Sequence, residues 1–316
     1  MILVYVDHDR GVIDEPSLQA LTFARSLDND VHAFVAGAAG QAIVGTLGEY
    51  GVSVAHIATH DVMADYAPQA AGRALAQLVQ MSSPAAVLAT SGLRGNEVLA
   101  HAATILGEPF AAESVEITLG KPAEVTRSRW GGNMLEVAKV HINNVLIASV
   151  PAFTVAAEPS PTSCTPESFT PELGALDGAV KVVDRVPGQT GGVSLAEAKV
   201  IVSGGRGVGA AELWGPLEEL AGIMHAALGC SRVVTSNGWR PHSEQVGQTG
   251  TKVAPDLYIA CGISGATQHI AGCKKSKTIL AINTDPEAPF MTHADYAIIG
   301  DLHEVLPAIS AAIRAR

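Results

Sequence analysis

The chain has 316 residues, of which 47% are hydrophobic and only 16% are charged, so it can bury the cores of about two domains. Its net charge is −11 and its Lys and Arg residues are scattered, which argues against a nucleic-acid partner. No apolar run is long enough to span a membrane, and residues 1–11 lack the pattern of a signal peptide. We therefore expect a globular, cytoplasmic protein.

The sequence contains no recognisable motif for covalent or metal-dependent catalysis. Its four cysteines, Cys164, Cys230, Cys261 and Cys273, form no CxxC pair and no metal-type cluster with histidine. We expect them to be reduced structural thiols, as is usual in the cytoplasm. There is no GxSxG motif and no paired-carboxylate signature. The chain is therefore predicted to hold a cofactor, without a metal and without turning over a substrate of its own.

In the first half of the chain, short apolar stretches alternate with helical ones. Strands are predicted at 2–6, 30–37, 52–58 and 85–90, and helices at 15–27, 38–50 and 66–80. This alternation predicts a doubly wound α/β domain. Within 111–160 we expect an antiparallel addition, with strands at 114–119, 123–140 and 144–155 and a hairpin turn at 131–133. Residues 156–176 are rich in Pro, Ser and Thr and are interpreted as a loop.

The α/β alternation starts again after a glycine-rich stretch. We predict an N-terminal α/β domain at 1–183, a linker at 184–198 and a second α/β domain at 199–316. In the second domain the predicted strands are 199–205, 231–236, 256–263, 277–283 and 296–300, and the predicted helices are 210–228, 264–273 and 303–315. The pattern favours a Rossmann-like parallel sheet, which binds ligands at the carboxyl ends of its strands.

Polar segments follow the strands of this second domain. The stretch 203–209, SGGRGVG, brings glycine amides and Arg206 to the start of a helix. The stretch 236–255 is a long polar excursion, and 262–272 places His269 one turn into a helix that Ser264 can cap. Each segment also has a simpler interpretation, as a tight turn, a solvated loop and a structural histidine. With Asn283, four strand ends carry polar groups suited to an extended dinucleotide.

These motifs resemble a known family. VSGGRG (202–207), QVGQTGTKVAPDLYIACGISGATQHIAG (245–272) and KTILAINTDPEAP (277–289) closely resemble the alpha subunit of the electron transfer flavoproteins. The resemblance is dense over 199–316 and looser over the first domain, where 90–109 is similar. It implies that the second domain holds most of one FAD, that a beta subunit completes a heterodimer, and that 184–198 is a hinge for a mobile FAD domain.

The resemblance also implies roles for individual residues. Arg232 and His269 are expected as a cationic pair beside the isoalloxazine ring, with the Thr249 hydroxyl near flavin N5. A positive charge or donor at this place stabilises the reduced ring. Asp301 is expected at the adenosine end. The full set of expected FAD contacts is Arg206, Ser231, Arg232, Gln245, Val246, Gly247, Gln248, Thr249, Ser264, Gly265, Ala266, Thr267, Gln268, His269, Asn283 and Asp301.

The function implied by the resemblance is electron carriage. The protein would accept electrons from flavoprotein dehydrogenases, such as the acyl-CoA dehydrogenases of fatty acid beta-oxidation, and deliver them to a membrane quinone oxidoreductase. One alternative is a bifurcating or NADH-linked complex with a second flavin in the beta subunit. A more distant alternative is an adenine-nucleotide-binding regulatory protein, favoured by the first domain's α/β pattern, although TSGLRGNE (90–97) lacks a phosphate-loop spacing.

Overall fold

The computed structural model describes residues 1–184, 194, 195 and 198–315. The chain divides into two compact units, Met1–Arg185 and Val186–Arg316. The predicted linker, 184–198, lies for the most part outside the described residues. Among the residues that are described, no helix combines the length and the hydropathy needed to cross a bilayer.

The first unit is built on a parallel sheet covered by helices. Its strands are β1 Ile2–Tyr5, β2 His8–Asp9, β3 Val12–Ile13, β4 Val31–Ala36, β5 Val54–Ala58, β6 Ala86–Thr90, β7 Phe110–Ala111, β8 Ser114–Thr118, β9 Ala123–Arg129, β10 Met134–Val140, β11 Leu146–Val150 and β12 Thr165–Phe169. Its helices are α1 Glu15–Leu27, α2 Val44–Glu49, α3 Pro68–Ser82 and α4 Leu93–Leu106. Seven strands form a parallel sheet in the order β12-β5-β4-β1-β6-β11-β7.

Each face of this sheet has its own apolar core. On one face, Val4, Leu88 and Leu146 pack with Leu21 of α1. On the other, Leu3, Val87 and Ile147 pack with residues of α3 and α4. Neighbouring residues of a strand point to opposite faces, so a strand buried on both sides needs a continuous apolar run. The ILVY run of β1 meets that need, and the doubly wound prediction is confirmed.

Two predictions in the first unit are wrong. Residues 144–155 were expected to add an antiparallel strand, but β11 runs parallel to β6 and β7 inside the main sheet. Its LIASV run is buried on both faces, as in a central parallel strand. Residues 156–176 were expected to form only a loop, but β12 pairs with β5 at the sheet edge. Most of β12 is exposed and polar, so it carries no hydrophobic signal. The hairpin of β9 and β10 is confirmed, with its turn at Trp130–Gly132.

The second unit is a smaller parallel sheet with helices on both faces. Its strands are β13 Val200–Gly204, β14 Ala227–Cys230, β15 Leu257–Cys261, β16 Ile279–Asn283 and β17 Tyr296–Ile299, and its helices are α5 Gly215–Met224, α6 Arg232–Ser236, α7 Thr267–Cys273 and α8 Leu302–Arg314. The strand order is β14-β13-β15-β16-β17. Helices α5 and α8 cover one face, and α7 covers the other. The Rossmann-like prediction is confirmed.

One stretch of the second unit was assigned incorrectly. Residues 231–236 were predicted as a strand, but Arg232–Ser236 form α6, and the strand is β14, which begins at the end of the predicted helix 210–228 and continues beyond it. The β-branched run Val-Val-Thr favours a strand locally. The buried position beside β13 is filled instead by Ala227–Cys230, which leaves 231–236 to turn away at the end of the sheet. Tertiary context therefore overrides local propensity here.

Candidate functional site

A cleft of about 510 Å³ opens at the carboxyl ends of the second unit's strands. It lies where helices change from one face of the sheet to the other, between β13 and β15, the place where open parallel sheets bind ligands. The residues that line it are Arg206, Gly207, Ser231, Arg232, Val233, Gln245, Val246, Gly247, Gln248, Thr249, Gly262, Ile263, Ser264, Ala266, Gln268, His269, Asn283, Asp285 and Ala288.

Most of the predicted contacts lie together in this lining, and three do not. Gly265 and Thr267 belong to the loop and first turn that support it. A side chain at Gly265, where φ is +92°, would begin only 2.2 Å from the Phe290 nitrogen. Asp301 lies after β17 and caps α8, since its Oδ1 accepts a hydrogen bond from the His303 N–H at 2.9 Å. The structure thus shows Asp301 as a helix cap outside this lining, and its contact with the adenosine end stays a prediction.

Several lining residues were missed. Gly262 and Ile263 directly follow β15, Gly207 lies in the turn after β13, and Asp285 and Ala288 lie in the loop after β16. The signal that identified Asn283, a position at the carboxyl end of a strand, also applied to Gly262 and Asp285. Val233 had no such signal, because its stretch was assigned to a strand rather than to α6.

The floor of the cleft is made of backbone. The Gly205 N–H donates to the Cys261 carbonyl at 2.9 Å, and the Gly207 N–H donates to the Gly262 carbonyl at 3.0 Å. A Cβ atom at Gly207 would lie 2.7 Å from the Gly262 Cα, so the two loops touch without side chains between them. The glycines of 203–209 thus allow close packing of two strand ends, and they leave the exposed Arg206 at the edge of the cleft.

The two polar segments on either side of β15 meet, as expected from the sequence. The Gln248 N–H donates to the Gln268 carbonyl at 2.8 Å, which joins the 246–249 loop to α7. A Cβ atom at Gly272 would lie 2.4 Å from the Gly247 backbone, so only glycine permits this approach. The two segments therefore form one continuous wall.

A hydrogen-bonded chain orients Thr249 in this wall. The Thr235 hydroxyl donates to Gln245 Oε1 at 2.7 Å, and Gln245 Nε2 donates to Thr249 Oγ1 at 2.9 Å. Gln245 is 2% exposed, so its amide is held in one orientation. Because Thr249 already accepts this bond, its own O–H is available to donate into the cleft.

Two buried polar atoms of the lining make no hydrogen bond within the described part of the chain: Ser231 Oγ and His269 Nδ1. Buried polar groups normally have partners, so unpaired ones beside a cleft indicate a ligand. Together with the exposed guanidinium groups of Arg206 and Arg232, they make a set of donors that fits a long anionic ligand with a polar ring.

The expected positive charge on His269 is not what the structure shows. The imidazole is 5% exposed, and burial lowers its pKa to about 4, although the Val246 backbone offsets part of this effect. At neutral pH the ring is therefore neutral, and Arg232 is the cation of the expected pair. His269 Nε2 lies 2.9 Å from the Tyr258 hydroxyl.

Comparisons with known proteins agree with this geometry. Residues 2–185 match the electron transfer flavoprotein domain, and residues 194–274 match the electron transfer flavoprotein FAD-binding domain. The chain is 37% identical to an electron transfer flavoprotein subunit alpha of Mycobacterium tuberculosis, over 100% of this chain and 98% of the relative. It is 36% identical to that of Mycobacterium leprae, over 99% and 98%. It is 31% identical to that of Bacillus subtilis, over 95% and 93%.

The match at 194–274 contains the cleft walls up to α7, and it names the cofactor. The prediction of FAD is therefore confirmed. The similarity extends over both units and over nearly the full length of each relative. The chain therefore belongs to the electron transfer flavoprotein alpha-subunit family.

Proposed function

We propose that this chain pairs with a beta subunit and carries electrons from flavoprotein dehydrogenases, such as those that oxidise acyl-CoA, to a membrane quinone oxidoreductase. The observation that carries the proposal is the cleft beside β13 and β15, with unpaired donors along its walls. Bound FAD supplies redox chemistry in one- and two-electron steps at its isoalloxazine ring. The residues of the chain bind that group, orient it and set the charge around it.

The proposed binding roles follow from where the donors lie. Arg206 lies between the floor glycines Gly205 and Gly207, and the backbone of 264–266 follows Gly262, so we assign the pyrophosphate to Arg206 and to this backbone. Arg232 lies on α6, Thr249 in the 246–249 loop and His269 on α7, and all three line the cleft, so we assign the flavin ring to them. Arg232 supplies positive charge, and Thr249 and His269 supply neutral donors. Val246 and Ile263 are buried apolar residues of the same lining.

The lining favours a carrier over an enzyme. A covalent mechanism needs a nucleophile hydrogen-bonded to a base. Among the lining residues that the structure describes, Ser231 has no hydrogen-bond partner and the Thr249 hydroxyl contacts the Gln245 amide. These hydroxyl groups are therefore placed to bind a ligand.

The test is to co-express the chain with its beta subunit and purify the pair. We expect a yellow heterodimer that is reduced by an acyl-CoA dehydrogenase with its substrate and reoxidised by a quinone oxidoreductase. A colourless heterodimer would refute the proposal. Flavin that is reduced only by NADH, with two flavins per heterodimer, would favour the bifurcating or NADH-linked alternative.

A further inference from the structure

Arg240 lies in the polar excursion that leads to the 246–249 loop, and it is not among the residues that line the cleft. Its Nε and Nη2 donate to the two carboxylate oxygens of Glu244 at 2.7 and 2.9 Å, which closes a turn formed by residues 240–244. Its Nη1 donates to Glu218 on α5 at 2.6 Å. The side chains of Arg240 and Glu244 are only 16% and 18% exposed, so salt screens this forked pair less than a surface pair.

The same guanidinium group packs on Trp214. Its Cζ atom lies 5.2 Å from the centroid of the indole ring, which is the range of a cation–π contact. Trp214 is buried and directly precedes α5. A Cβ atom at Gly204, the last residue of β13, would lie 2.5 Å from Trp214 Cη2, so the indole packs directly on the backbone that leads into the floor of the cleft. Arg240 is therefore attached to the element beside which the floor begins.

At its other end the turn leads into the wall of the cleft. Gln245 directly follows Glu244, and its amide is the group that donates to Thr249 Oγ1 at 2.9 Å. The next residue is also fixed, because the Val246 N–H donates to the carbonyl of Cys230, the last residue of β14, at 2.9 Å. The position of Glu244 thus decides how the Gln245 amide meets Thr249.

Removal of the guanidinium group would disturb this turn. Glu218 and Glu244 share one cation, so without it two carboxylates would face each other and one of them would stay partly buried. Loss of one partner of a buried pair is far more costly than loss of an exposed one. Glu244 would gain free energy by turning out to water. The turn would then open, and the Gln245 amide would move with it.

We propose that Arg240 is a positioning residue for the FAD site, which holds the 240–244 turn in place and through it sets the position of the Thr249 hydroxyl. This role rests on the proposed function, which places the flavin ring beside Thr249. Its new content is that a residue outside the lining acts on the cofactor, and only through the cleft wall. A merely structural Arg240 would stabilise the second unit without changing the behaviour of the bound flavin.

The test compares Arg240→Gln with wild type as heterodimers with the beta subunit. Arg314→Gln is the matched control, because Arg314 also pairs with a glutamate of α5, Glu219 at 2.8 Å, but is 61% exposed and does not line the cleft. Flavin fluorescence during titration of the deflavinated heterodimers with FAD measures affinity. We expect Arg240→Gln to bind FAD about threefold more weakly or worse, since residues of one salt-bridge network are coupled by at least about this amount. Arg314→Gln should bind FAD like wild type.

The reduction potential of the bound flavin separates positioning from stability. Arg240→Gln should lower this potential in the same direction as Thr249→Val, and it should add less in a Thr249→Val background than alone, because both changes act on one hydroxyl group. Arg240→Lys keeps the charge but lacks the fork that serves two carboxylates, so it should restore affinity and potential only in part. Thermal unfolding curves measure the stability of each variant separately.

Two results would overturn the role of Arg240. One is wild-type FAD affinity and potential in Arg240→Gln, whatever its stability, and the other is full additivity of Arg240→Gln and Thr249→Val. If Arg240→Gln does not fold, Arg240→Lys takes its place, and wild-type affinity and potential in that variant have the same meaning. In all these cases the FAD-containing carrier would stand. A wild-type potential in Thr249→Val would instead refute the placement of the flavin ring beside Thr249.

Discussion

The two units place polar residues at the same point of a parallel sheet, with opposite results. In each unit the strand order reverses at one point of the sheet. This point lies between β1 and β6 in the first unit and between β13 and β15 in the second. The cavity at the first of these points is about 40 Å³, and the cleft at the second is about 510 Å³. Topology alone therefore marks both places as ligand sites, but only the second has room for a dinucleotide.

The difference comes from how the polar side chains are paired. In the first unit, Arg94 lies 3.4 Å from an Asp7 oxygen and 4.7 Å above the ring of Tyr66, and the Tyr66 hydroxyl donates to Glu97 at 2.7 Å. These side chains satisfy one another and fill the space. In the second unit, Ser231 Oγ and His269 Nδ1 are buried and unpaired. The two places therefore differ in whether their polar side chains pair with one another and fill the space, and not in the topology of the sheet.

The largest predicted effect concerns the neutral His269 of the second unit. Its folded-state pKa, about 4, is below the value of about 6.5 for an exposed histidine, so below pH 6.5 the unfolded state binds a proton that the folded state excludes. Stability is therefore fully present above pH 6.5 and falls by about 3 kcal/mol as the pH drops to 4. Acid unfolding of the FAD-loaded heterodimer measures it.

His269→Gln should flatten this acid dependence, because glutamine does not titrate. His293→Gln is the control, since His293 is exposed at the surface of the same unit. If wild type and His269→Gln lose stability equally between pH 6.5 and 4, His269 is not buried in the neutral form.

The second prediction tests the backbone floor of the cleft. A methyl group at Gly207 would lie 2.7 Å from the Gly262 Cα, so Gly207→Ala must push the two strand-end loops apart. Overpacking of this kind costs about 1 to 3 kcal/mol of folding stability, and because the displaced loops line the cleft we also expect weaker FAD binding. Flavin fluorescence during titration of the deflavinated heterodimer measures the affinity.

Gly222→Ala is the matched control for Gly207→Ala. Gly222 lies in α5, and a Cβ atom there would meet nothing within 4 Å. Alanine favours a helix over glycine, so this variant should be slightly more stable, by about 1 kcal/mol, with unchanged FAD affinity. Equal FAD affinity in both variants would show that the floor tolerates side chains.

The third prediction separates a direct contact of Thr249 from its support of Gln245. Thr249→Val and Thr235→Val each leave one end of the buried Gln245 amide unpaired, at a cost of about 1 to 3 kcal/mol. Only Thr249 also lines the 510 Å³ cleft. We therefore expect both variants to lose stability, but only Thr249→Val to lower the reduction potential of the bound flavin. Equal potentials in the two variants would assign Thr249 a supporting role alone.

Much of the fold and of the cleft could be predicted from the sequence, because these features depend on local sequence patterns. The continuous apolar runs of β1 and β15 identify strands buried on both faces, and the polar residues that follow β13, β15 and β16 identify the cleft. The meeting of the 246–249 loop with α7 follows from the single strand that separates the two segments along the chain. These features depend on neighbours that are close in sequence.

The remaining features depend on distant neighbours. Strand β12 is exposed and polar, and it is a strand only because β5 offers it a free edge. The Val-Val-Thr run of α6 favours a strand locally, but β14 already occupies the place beside β13. The charge of His269 depends on burial beside Tyr258 and Phe290, which come from other elements. His269 could therefore be predicted from the sequence as a site residue, but its protonation state could not.

The smallest predicted effect is in the first unit, where Asp7→Asn tests whether the filled cavity has any role in FAD binding. Burial raises the pKa of Asp7, against the opposing effect of Arg94, so the carboxylate is less stable here than in water. A raised pKa means that this group stabilises the folded state more as the pH falls. Asparagine keeps the shape without the charge, so at neutral pH stability should change by less than about 1 kcal/mol and FAD content should not change.

Thermal unfolding and flavin absorbance of the purified heterodimer measure both quantities for Asp7→Asn. Asp184→Asn is the matched control for loss of one negative charge, since Asp184 is an exposed residue of the same unit. Loss of FAD in Asp7→Asn, but not in the control, would show that the polar side chains around Asp7 also affect FAD binding. A filled cavity in the first unit would then not mean that this unit has no role in binding the cofactor.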